Sequence, residues 1–165
     1  MSFIQQLQNW TKGDILQGKW MIGIAIIILL PIFILLIKSN NSLQKGMVIP
    51  LFLLFVMNIC YGGYLLSSKP NHNVKTEKQF QLNAQKTVKN EINKIKVEDK
   101  SYKVTKYAWA GLLIFSVVCF YIFNQEYYQG LSLGFVVMFL GMLLIDVFLH
   151  QRLKFYITAL CEIWN

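Results

Sequence analysis

Along the chain, apolar and polar positions separate into long blocks. Four stretches, 20–37, 47–66, 107–123 and 131–149, carry almost no charge. Each runs to 17–20 residues, close to the roughly 20 that a helix needs to cross about 30 Å of hydrocarbon at 1.5 Å per residue. Four such blocks in 165 residues are too many for the buried helices of a soluble domain. The pattern predicts an all-α polytopic membrane protein with four transmembrane helices.

Between the blocks the apolar residues change period. Phe3, Leu7 and Trp10 fall at i, i+4 and i+7 within "SFIQQLQNWTKGD", the pattern of a short amphipathic helix lying in the membrane interface. Between the second and third blocks, Phe80, Ala84, Val88, Ile92 and Ile95 recur at spacings of four, four, four and three, which is one helical face. Lysines at 75, 78, 86, 89, 94 and 96 cover much of the remainder. The expectation is a basic amphipathic helix after a break at Pro70, either lying on the inner leaflet or offering its stripe to a partner helix. The tail keeps Leu153, Ile157, Leu160 and Trp164 on one face, so helix should continue beyond the last span. Three segments follow: 1–67 with the interfacial helix and spans one and two, 68–106 as the basic amphipathic segment, and 107–165 with spans three and four and a C-terminal helix.

Composition agrees with this picture. The chain is 55% hydrophobic and 15% charged, against about 45–50% and 25% in soluble domains. Its net charge of +8 is unevenly placed. Fourteen Lys and Arg fall on the side shared by the two termini and the central segment, and only Lys38 and Lys45 fall on the other. By the positive-inside rule both termini are expected in the cytoplasm. Topology and an anionic inner leaflet account for the lysines, so a nucleic-acid partner is not expected. The first block has Pro31 within it and no small-x-small cleavage site after it, so it reads as a retained, kinked span and not a signal peptide.

Chemistry-bearing patterns are sparse. Cys60, Cys119 and Cys161 lack C-x-x-C spacing, and the first two read as small hydrophobes within spans. His72 and His150 do not provide facing pairs within spans, so haem is not expected. No metalloprotease, nucleophile-elbow or phosphate-loop motif occurs. No cofactor, metal or catalytic residue is assigned, and an enzyme is not expected.

The candidate functional positions lie within or beside the spans. Asn58 carries an amide near the middle of span two, where it needs a hydrogen-bond partner. Gly130, Gly134 and Gly141 suit close helix approach in span four. Asp146 is the single acidic residue in a span, about 24 Å along from Gly130 at 1.5 Å per residue. His150, at i+4, or a basic residue of the central segment is expected to compensate it, making an anchor at the inner boundary. With the docking stripe on 80–95, these features suggest a bacterial inner-membrane protein that acts by contact with another membrane protein or a second copy. It would be an accessory subunit of a membrane machine or a protein that neutralises a membrane-acting toxin. The alternative is a small oligomeric channel or transporter, with Asn58 and Asp146 lining a pathway between subunits.

Overall fold

The computed structural model describes residues 2–164, with side chains described through residue 162. Its elements are α1 (Phe3–Ile24), a π-helical turn (Ala25–Leu29), α2 (Leu30–Lys38), α3 (Ser42–Leu82), α4 (Ala84–Ile122) and α5 (Glu126–Trp164). The chain is all-helical, with four helical rods long and apolar enough to cross a membrane: Phe3–Lys38, Ser42–Leu82, Ala84–Ile122 and Glu126–Glu162.

The rods exceed the length of their apolar blocks. At 41 residues, α3 is about 60 Å long, roughly twice the hydrocarbon thickness. Most of the surplus of every rod lies at the same, basic end. There, residues 3–19 of α1, the α3–α4 hairpin and the end of α5 form a second bundle.

Local signals in the sequence fix the rod ends. Ser2 accepts from the Gln5 backbone N–H while the Gln5 side chain accepts from the Ser2 N–H, a reciprocal capping box. Asn41 caps α3 by accepting from the Leu43 N–H at 2.9 Å. A single residue, Asn83, turns α3 into α4; its extended backbone ends one helix, and its side chain accepts from the Lys86 N–H at 3.0 Å to cap the next.

The prolines act differently from one another. Ahead of Pro31 the backbone widens into the π turn, with the Leu30 N–H donating to the Ala25 carbonyl. A wide turn there makes room for a ring that has no N–H to donate and would crowd the preceding turn. Pro70, expected to end a helix, lies inside α3, which continues unbroken to Leu82. The central segment is therefore the basic-end half of α3 and α4 and not a separate amphipathic helix.

Three apolar cores hold the described parts of the rods together, the smallest being Met21, Leu65 and Leu149. Among the spans, Ala25, Leu29, Leu51, Leu54, Met138, Phe139 and Met142 are buried together. At the basic end, Phe3, Leu7, Trp10, Val88, Ile95, Leu153, Tyr156 and Leu160 form a second core. The Phe3, Leu7 and Trp10 face, expected to lie on the bilayer, is turned onto this hairpin, where Phe3 stacks on Phe80 with ring centroids 4.9 Å apart. Trp164, expected on the tail's apolar face, lies outside the described side chains.

Candidate functional site

Small residues set the helix approaches. A Cβ on Gly130 would overlap the Leu43 carbonyl, and one on Gly46 would overlap the Tyr127 carbonyl. The ends of α3 and α5 away from the basic bundle thus touch backbone to backbone. One turn further along, Gly134 receives Pro50, whose Cγ would lie 2.9 Å from an added Cβ. Gly141 is less constrained: its nearest neighbour, Leu54 Cδ1, would be 3.4 Å away. The seam is intramolecular. At the other end Gly18 and Gly62 face one another, each added Cβ falling 2.9 Å from the opposing carbonyl, which draws α1 onto α3.

Helix α4 is held differently. It packs along α5 but meets α3 sparsely, and only 6% of its most apolar window is buried inside the chain. The separation between α3 and α4 leaves a cleft of about 620 Å³ with α5 as its back wall.

Asp146, 5% exposed, lies at the deep end of that cleft. The Trp109 indole N–H donates to its Oδ2 at 2.9 Å, bridging α4 and α5. His150, the expected partner one turn away, is engaged elsewhere. The Lys106 ammonium can only donate, so His150 Nδ1 accepts from it at 2.6 Å. That leaves Nε2 to carry the proton and donate to Asp99 Oδ1 at 2.7 Å. Asp99 also pairs with Lys103 at 2.6 Å. Tyr102 stacks on the His150 ring and its hydroxyl lies 3.3 Å from that of Tyr61, which ties the mouth of the cleft across α3 and α4.

Asn58 faces another way. Its amide donates to the Leu54 carbonyl of its own helix at 2.9 Å, and it lines a separate cleft of about 460 Å³ among α1, α3 and α5. In a single chain, therefore, Asn58 and Asp146 do not share a pathway.

The hairpin stripe is divided. Val88 and Ile95 are buried in the basic-end core, Phe80 and Ile92 pack at its edge, and Ala84 is exposed. The surface the hairpin presents is instead lysine-rich, with Leu82, Val97 and Val104 exposed among the charges.

Several polar pairs of this end carry no periodic signature in the sequence. Asp14 meets Lys69 at 2.8 Å, and the Lys69 ammonium lies 3.9 Å above the Trp10 ring, which also stacks on Tyr156 at 4.6 Å between centroids. Burial raises the Asp14 carboxyl above its ordinary value, with Lys69 and Arg152 opposing. Arg152 donates to the Gly13 carbonyl. His72 accepts from Lys94 at 3.2 Å and donates to the buried Glu91 at 2.8 Å.

Among the described residues, no group of three His, Cys, Asp or Glu side chains is placed to hold a metal ion. No family model matches the chain, and neither curated proteins nor solved structures show a match to it.

Proposed function

We propose that this chain is a non-catalytic bacterial inner-membrane protein that works through protein contact, with both termini and the basic bundle in the cytoplasm. It serves either as an accessory subunit of a membrane machine or as a protein that neutralises a membrane-acting toxin. The observation that carries the reading is the basic-end bundle itself. All four rods extend to build it, and its hairpin surface combines lysines with exposed Leu82 and Val97. A span needs no such extension merely to sit in lipid. The charge asymmetry supports the orientation.

Photo-crosslinking in cells tests this. A crosslinking amino acid at Leu82 or Val97 is expected to give one adduct of defined mass, and the same group at lipid-exposed Val118 is expected to give none. A mass of twice the chain would identify a second copy as the partner. No adduct at either hairpin position would defeat the reading.

A further inference from the structure

We propose that the cleft between α3 and α4 binds an amphiphile with a single organic ammonium group, seated against Asp146, its apolar tail leaving sideways between the two helices into the bilayer.

Asp146 carries an unspent charge. Trp109 occupies Oδ2 of Asp146, but Oδ1 makes no hydrogen bond among the described residues. Lys106 and His150 lie near enough to act on this carboxylate, yet both are committed to the chain that ends at Asp99. A carboxylate at this depth, 95% buried and half-partnered, is costly unless a cation meets it.

The walls suit an ammonium better than a metal ion. Tyr61, Tyr102 and Trp109 line the same cleft as Asp146, and aromatic faces attract organic cations through their quadrupoles. A hard cation would need several oxygen ligands, and only one unpartnered carboxylate oxygen is present at the deep end. An anionic head is disfavoured because the cleft's one cation, Lys69, is already neutralised by Asp14.

Size and opening supply the tail. About 620 Å³ lies within the usual range of ligand sites. Along α4 the cleft runs about 17 Å at 1.5 Å per residue, from Trp109 in span three to Glu98 in the basic bundle, which is the polar approach to the Asp146 seat. Its flanks at Met57, Cys60 and Met142 are apolar, and the sparse contact of α3 with α4 leaves the side open.

Cys60 is a reporter within the cleft, and it is exposed. With Cys119 and Cys161 replaced by alanine, the rate of Cys60 alkylation by N-ethylmaleimide is measured in dodecyl maltoside, which carries no ammonium. Dodecylamine is expected to slow alkylation at least tenfold, saturably, while dodecanol and dodecanoate do so at least tenfold less effectively. Asp146→Asn is expected to weaken dodecylamine protection at least tenfold; Asp146→Glu and the rim change Glu98→Gln are expected to keep it. Equal protection by dodecanol or dodecanoate would mean an apolar groove with no seat for the ammonium, and would overturn the proposal without any variant. Undiminished protection in a folded Asp146→Asn protein would overturn it as well.

Discussion

The Trp109 indole N–H meets the Asp146 carboxylate at 2.9 Å across the α4–α5 packing. It is the direct polar link by which α4, little buried along its span, is tied to the back of the bundle at membrane depth. Hydrogen bonds to charged groups contribute about 1.5–3 kcal/mol in water-exposed proteins, and polar contacts between membrane helices about 0.6–1.7 kcal/mol. Trp109→Phe is therefore expected to cost about 1–2 kcal/mol. Asp146→Asn keeps an acceptor oxygen and should cost less than Asp146→Leu. A double-mutant cycle on thermal or denaturant unfolding checks the pair; a coupling energy near zero would show that the contact contributes nothing.

The glycine seam makes a graded prediction. Gly130→Ala and Gly46→Ala place a methyl group on opposing backbone carbonyls, which cannot swing aside as a side chain can. Each is expected to destabilise by about 2–3 kcal/mol or to part α3 and α5 at the ends away from the basic bundle. Gly141→Ala meets only Leu54 methyl groups at ordinary contact distance and should be close to neutral. Gly63→Ala and Gly111→Ala meet nothing within 4 Å. Relief of glycine's entropic cost in a helix should leave them neutral or stabilised by up to about 1 kcal/mol. Melting curves of the five variants in one detergent give the ranking.

The spans were legible because hydrocarbon imposes a length and an apolar composition that leave a block in the sequence. Gly130 and Gly134 were legible as small residues one turn apart, but their partners Gly46 and Pro50 were not, since a seam is a property of two helices. At Pro70 the local rule and the structure part. Proline disfavours helix locally, yet α3 continues, and the basic-end core that rewards its continuation draws on residues as distant as Phe3 and Leu160. His150 was the nearest candidate for Asp146 by spacing, but spacing along one helix cannot see Trp109, 37 residues away. Polar pairs such as Asp14 with Lys69 carry no period at all.

Two carboxylates outside the spans respond to acid with opposite sign. The Lys103 hydrogen bond first, and that of His150 second, hold the Asp99 carboxyl below its ordinary value of 3.8. A lowered folded value means that stabilisation is fully present above about pH 4 and is lost as pH falls through the folded value. Asp14, raised by burial, behaves in reverse: its ionised form opposes folding at neutral pH, and protonation of the folded state on the way down to about pH 4 relieves that opposition. Asp99→Asn should flatten the acid limb of the stability curve below about pH 4, whereas Asp14→Asn should leave that limb in place. Denaturant midpoints measured from pH 7 to pH 3 separate the two, and an unchanged acid limb in Asp99→Asn would remove this ion pair from the account.

The hairpin offers a direct contrast between packing and presentation. Ile95 is fully buried, with Phe3, Leu7 and Leu153 in the same core, while Val97, two residues on, is 71% exposed. Truncating a buried Ile removes its transfer free energy and leaves a cavity, so Ile95→Ala is expected to cost about 2–5 kcal/mol. Val97→Ala on the outer face should change stability by less than about 0.5 kcal/mol. If the stripe served to dock a partner and were only loosely held by the chain itself, Ile95→Ala would instead leave the isolated protein's melting unchanged and weaken partner capture. Measuring stability and crosslinking yield on the same two variants keeps these roles apart. Ile95→Ala should lower the melting temperature, and Val97→Ala should lower crosslinking from Leu82 while the protein melts as before.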